Sequence, residues 1–245
     1  MYESALRVYS EQDFPVDWAA TQNNLGIALV DLPNGDRGEN VSKAIEYVGA
    51  ALRVYTDRDF PERWATAMSN LGLAYEELPT GNRGENVRKA IECFEAALRF
   101  ETEIDFPEKW ATTQNNLGHA YAELPAVNRG ENLRKAIHYC QAALRVCTER
   151  DFPERWARAQ SNLGNAFRDF PNGDRGENSR KAIECYKSAL RVYTRREFPV
   201  KWACVYRKFH LALLSFAKAH VTHVTCLVFF VTLSSVSADL DVGDS

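Results

Sequence analysis

The side chains of this chain best suited to chemistry are amides, and they come at a fixed spacing. Asn24, Asn70, Asn116 and Asn162 stand 46 residues apart, with Asn23 and Asn115 directly before two of them. An asparagine amide offers both a donor and an acceptor, so a row of them, one per repeat, could grip the backbone of an extended peptide whatever its side chains. The same amides could instead tie one segment of the chain to the next, and both readings stand at this point. Metal donors occur once, at His220-x-x-His223-x-x-Cys226. No fourth ligand lies nearby and the interval fits no closed structural zinc site, so no metal is expected. The sequence carries no nucleophile elbow, phosphate loop, dinucleotide-binding glycine pattern or HExxH, so neither catalysis nor a cofactor is expected.

What positions the amides is a repeat. The run DFPERWA at Asp59 to Ala65 returns unchanged at Asp151 to Ala157, and near-copies begin at Asp13, Asp105 and Glu197. All five tryptophans, Trp18, Trp64, Trp110, Trp156 and Trp202, occupy the same slot of this run. A fixed period of this length marks stacked supersecondary units that share a continuous core.

Within the second copy, Asp59 and Glu62 have the spacing of a capping box, and Pro61 falls in a first helical turn where its missing N–H is harmless. Trp64, Ala67, Leu71, Ala74, Tyr75 and Leu78 then recur at three- and four-residue steps, one apolar stripe of a helix, here called A. LPTGNRGEN breaks that helix, with Asn86 as the expected cap of a second one. In this helix B, Ala90, Ile91, Phe94, Ala97 and Leu98 mark the buried face. The unit is thus an antiparallel helix pair, and the chain is expected to be all-α.

Leu71-Gly72-x-x-Tyr75 on helix A, followed by Ala90-x-x-x-Phe94-x-x-Ala97 on helix B, resembles the tetratricopeptide repeat signature. The pattern recurs around Gly26 and Ala44, Gly118 and Ala136, and Gly164 and Ala182. The longer form FPxxWAxxxxNLG…RGEN…AIxxYxxAL is similar to a 46-residue, long-helix variant in large bacterial and fungal proteins that carry CHAT protease or nucleotide-binding domains, and also to the repeats of kinesin light chains. The resemblance covers about residues 2 to 202. It implies a right-handed superhelical solenoid of antiparallel helix pairs, whose A helices line a concave groove.

The units expected on this template are a partial repeat at 1–12, full repeats at 13–58, 59–104, 105–150 and 151–196, a degenerate helix A at 197–219 and a divergent apolar tail at 220–245. The glycines and alanines of the signature are expected to let the helices approach closely, and each tryptophan to plug a junction between units.

The resemblance further implies protein or peptide binding, with Asn24, Asn70, Asn116 and Asn162 on the groove beside Asn23 and Asn115. Specificity is expected where copies differ, at Ile27, Leu73, His119 and Asn165 and at Val30, Glu76, Ala122 and Arg168. An alternative is a structural spacer cut from a larger signalling protein of the CHAT or nucleotide-hydrolysing type, with no ligand of its own.

Charge narrows the partners further. The formal net charge is -3, without the clustered Lys and Arg that nucleic acid would require. The six cysteines show no CxxC pairing and sit mostly at apolar slots, the pattern of reduced core thiols in a cytoplasmic protein. No secretory signal opens the sequence.

Asp31, Glu77, Glu123 and Asp169 place acid near the C-terminal end of each helix A, against the helix dipole. Their compensation is expected from the arginines of the RGEN turn, Arg37, Arg83, Arg129 and Arg175, or else from a basic ligand. Arg53, Arg99, Arg145 and Arg191 are expected to form ion pairs between units. Residues 219–238 contain no Lys, Arg, Asp or Glu. They read as a membrane anchor, an apolar cap on the last helix, or an unselected terminus.

Overall fold

The computed structural model describes residues 2–125 and 128–220, and all regular structure among them is helical. After a short α1 (Tyr2–Ala5), A-type and B-type helices alternate. They are α2 (Pro15–Val30), α3 (Arg37–Ala51), α4 (Pro61–Glu77), α5 (Arg83–Ala97), α6 (Pro107–Glu123), α7 (Arg129–Val146), α8 (Pro153–Asp169), α9 (Arg175–Val192) and α10 (Pro199–His220).

Each A helix begins on the proline of an FP pair, which supplies a preset φ and lacks only an N–H that no helix bond would use. The residue just ahead of it is phenylalanine, whose side chain caps nothing. The expected capping role of Asp59 is therefore corrected. Thr56 Oγ1 accepts the Asp59 backbone N–H at 3.0 Å and donates to Asp59 Oδ2 at 2.8 Å. The same hydroxyl staple closes the turn at Ser10 and Asp13, Thr102 and Asp105, and Thr148 and Asp151. A hydroxyl three residues upstream competes for the aspartate, and the local turn wins.

A second correction concerns Asn86. The cap of α5 is Asn82, whose side chain accepts the Glu85 N–H at 3.1 Å. Asn86 lies buried one turn inside the helix and donates Nδ2 to the Thr80 carbonyl at 2.8 Å, pinning the loop between A and B helices. Asn40 and Asn178 do the same for the carbonyls of Asn34 and Asn172. The loop also requires glycine at Gly81, whose φ of 79° is left-handed.

The described residues divide between two compact units. One comprises α1 to α6 with the C-terminal half of α7 (His138–Val146); the other comprises the N-terminal half of α7, to Ile137, with α8 to α10. In the first, α2 packs on α3, α3 on α4, α4 on α5 and α5 on α6; in the second, α8 packs on α9 and α9 on α10. Consecutive helices packed in this way form a helical repeat.

Close approach of A to B depends on the glycine of the LG pair. A Cβ built on Gly72 would meet Phe94 Cε1 at 2.6 Å, and one on Gly164 would meet Tyr186 Cε1 at 2.8 Å. The large ring of the B helix thus fills the space over the bare backbone of the A helix. At the same slot α10 carries His210, and among the described residues no B helix follows α10.

Candidate functional site

The A-helix faces of the first unit carry the amide row. Asn24 is exposed, while Asn23 is buried and accepts at Oδ1 a hydrogen bond of 3.0 Å from Asn70 Nδ2. The amide of one repeat therefore holds the amide of the repeat before it. Asn115 and Asn116 are both only 4% exposed. In the second unit Asn162 is half-buried.

The variable positions are engaged as well. Glu76 is buried, with Oε1 2.6 Å from His119 Nδ1, a contact between α4 and α6. Leu73 is half-buried. Asn165 Oδ1 accepts from the Tyr186 hydroxyl at 2.9 Å. Arg168 makes a two-pronged pair with Asp169 at 2.8 and 3.0 Å.

Between α2, α4 and the start of α6, a cavity of about 360 Å³ opens on this face. Asp17, Asn24, Tyr55, Arg63, Thr66 and Lys109 are among its walls. Lys109 Nζ is held by Glu62 Oε1 at 2.9 Å and Thr66 Oγ1 at 3.2 Å. Asp17 and Arg63 bring opposite charges to one open, polar recess, suited to a ligand that is both donor and acceptor.

Charge elsewhere is used for repeat-to-repeat ties. Arg37 reaches the carbonyl of Val30 at the end of its own A helix and also Glu77 Oε2, 2.8 Å away in the next repeat. Arg83 repeats this with the Glu76 carbonyl and with Glu123 at 4.0 Å, and Arg129 reaches Asp169 at 3.8 Å. The acid at the dipole-disfavoured end thus finds an arginine belonging to the preceding repeat.

The second arginine series behaves as expected. Arg53 grips Glu11 at 3.0 and 2.6 Å, Arg145 grips Glu103 at 3.1 and 2.7 Å, and Arg191 grips Glu149 at 2.8 and 2.7 Å. In each case the carboxyl is held below its usual range by that hydrogen bond. The same guanidinium lies over a tryptophan, 5.3 Å from the Trp18 ring, 5.2 Å from Trp110 and 5.2 Å from Trp156. Acid, arginine and indole make a recurring clasp in which the cation is attracted to the ring face.

Trp110 and Trp156 are buried; Trp18, Trp64 and Trp202 are half-buried. Trp18 and Trp64 both pack on the core formed by Ala19, Val48, Ala51, Tyr55 and Ala67, which draws on two successive repeats. Ala44, Ala90, Ala136 and Ala182 are fully buried, and the glycines Gly26, Gly72, Gly118 and Gly164 are buried.

Cys93, Cys140, Cys147 and Cys185 are free and buried, whereas Cys204 is exposed. Burial pushes the thiols of Cys93 and Cys185 up to about 12, leaving them un-ionised and unreactive at neutral pH. No described helix is long and apolar enough to cross a membrane. Beyond the end of α10 at His220, the segment expected to be an anchor, a cap or an unselected terminus, and the donors His223 and Cys226, lie outside the described residues.

Three positions that matter here escape a reading of spacing alone: Val16, Arg63 and Glu101. For Val16 and Glu101 the signal is departure from the repeat, since each replaces the residue that most copies carry at that slot; Arg63 keeps its slot's basic character and is marked only by Val16.

Compared with known proteins, the chain matches no family profile and no curated protein.

Proposed function

We propose that this chain is a tetratricopeptide-type interaction module that holds an extended peptide, or a loop of a partner protein, along the face of its A helices. The observation that carries this reading is the polar recess of about 360 Å³ on that face, where the exposed Asn24 stands beside opposite charges from successive A helices. Amide, carboxylate and guanidinium groups on rigid helices can match peptide N–H and C=O groups without rearrangement. The helical repeat and the glycine-over-ring packing of Gly72 on Phe94 support the family resemblance.

A second reading is favoured by a different observation. Asn70 donates to Asn23, and Asn115 and Asn116 are sequestered, which is what amides serving only as internal ties would do. On that reading the chain is a spacer within a larger signalling protein.

Peptide display on the full chain separates the two. The interaction reading expects peptides recovered by the wild type and lost on the Asn24→Ala/Asn70→Ala double variant. Failure to recover any peptide, with a folded chain by circular dichroism, decides for the spacer.

A further inference from the structure

The FPxxW run carries a hidden ladder of charge. Its third position reads Val16, Glu62, Glu108, Glu154 and Val200 through the copies, and its fourth reads Asp17, Arg63, Lys109, Arg155 and Lys201. A base at the fourth position reaches back to the acid at the third position of the preceding copy. Lys109 Nζ sits 2.9 Å from Glu62 Oε1 in the first unit, and Lys201 pairs with Glu154 in the second. Arg63 is the base whose preceding slot holds Val16 in place of a glutamate.

The Arg63 guanidinium lies over the rings of Tyr55 and Phe60, 5.7 and 5.9 Å from their centroids, as Lys201 lies over Tyr193 and Phe198 while also paired with Glu154. Among the described residues no carboxylate pairs with it. The recess of about 360 Å³ opens at this rung.

We infer that the broken rung is a seat for one acidic side chain of the bound peptide, whose carboxylate stands to Arg63 as Glu62 stands to Lys109. The inference rests on the interaction reading above and names what that site selects. A guanidinium stacked on aromatic rings keeps its planar fork oriented and loses little freedom on pairing two-pronged with a carboxylate. Lys109 is already paired with Glu62, whereas among the described residues no carboxylate lies within ion-pair distance of Arg63. Asp17, in the same recess, disfavours a doubly charged phosphate and accepts instead from a peptide N–H. The exposed Asn24 amide is left to serve the neighbouring backbone. The ligand class is therefore a peptide with an aspartate or glutamate at one fixed position.

Two measurements on the full chain test this. In the first, the Arg63 Nε–H resonance is followed by NMR while N-acetylglutamate N-methylamide, its neutral glutamine counterpart or inorganic phosphate is added. A saturable shift with the glutamate compound alone is expected, absent in Val16→Glu, where the missing acid is supplied from within the chain. In the second, peptides displayed against the wild type are sequenced. Enrichment of Asp or Glu at one position is expected, and changing that residue to its amide should weaken binding roughly tenfold. Arg63→Gln, an exposed change that leaves the core intact, should remove the acidic preference.

Peptides recovered with no acidic position, or with a preference that survives Arg63→Gln, overturn the seat and leave the interaction reading standing. A response of Arg63 to the glutamate compound with no peptide recovered keeps the seat and removes the interaction reading. An equal response to phosphate, or no response at all, overturns the seat.

Discussion

Glu101 should make the first unit more stable when its charge is removed. The slot that holds Tyr55 and Tyr193, whose hydroxyls donate to the carbonyls of Val16 and Glu154 at 3.2 Å, holds a carboxyl in this copy. Glu101 is 3% exposed. Its Oε2 accepts from Thr113 Oγ1 on α6 at 2.6 Å and from Ser69 Oγ on α4 at 3.4 Å. Burial pushes the carboxyl above its ordinary value of 4.5, and the two hydroxyls with the charge of Lys109 pull it only partly back. Two neutral donors on one oxygen do not replace the water that an ionised carboxylate gives up. The folded state holds this proton more tightly than the unfolded chain does. The resulting stabilisation is complete below the unfolded value and drains away as the pH rises through the folded one.

Glu101→Gln keeps an acceptor for Thr113 and discards the charge. At about pH 8 it should gain about 1–2 kcal/mol, the scale of a buried polar group incompletely compensated. The gap should close on acidification to about pH 4, where both chains carry a neutral group at this site. Urea titrations followed by tryptophan fluorescence measure it directly. A glutamine variant no more stable than the parent at the higher pH, or a gap that does not change with pH, refutes the reasoning.

Two further outcomes are expected. Trp110→Ala removes a buried ring that also carries the Arg145 guanidinium, and should cost about 3–5 kcal/mol in the same urea assay; an unchanged midpoint would show that the ring is dispensable at the junction. Gly72→Ala gains about 1 kcal/mol of helix propensity but drives a methyl to 2.6 Å from the fully buried Phe94. A net loss of about 1–3 kcal/mol is expected, and a net gain by calorimetry would mean that α4 and α5 can part without penalty.

The helices were legible because each is signalled twice, by its apolar stripe and by its punctuation. Trp64 to Leu78 fixed the A stripe, Pro61 its start, and the LPTGNRGEN run its end. The caps were less legible, since a staple and a cap use the same residue types. Asp59 satisfies the capping-box spacing, yet Thr56 lies three residues upstream and takes it first; Asn82 and Asn86 are both good caps, and loop geometry chooses between them.

The site was partly legible. That the amides share one face follows from their spacing, but which amide faces solvent does not. Asn24 and Asn70 hold the same slot, and only the repeat stacked against each makes one exposed and the other a donor to Asn23. Likewise the sequence offered the Arg37 series as partners of the acid series that includes Glu77, without saying which copy of one meets which copy of the other. The pairing across repeats depends on packing between helices that one repeat does not encode. Arg63 was invisible as long as the copies were read for their agreement.

The clasps also bear on how such a chain can change its length. Arg53, Arg145 and Arg191 each find their acid 42 positions back, and Lys109 finds its own 47 back. Every tie therefore runs to the adjoining copy. A gene that gained or lost one stretch of 46 codons in a single unequal crossover would hand each surviving arginine a glutamate or aspartate in the right place. A number of codons that is not a whole multiple of 46 would leave guanidinium and indole facing the wrong turn, so descent by whole blocks is the route that this architecture leaves open.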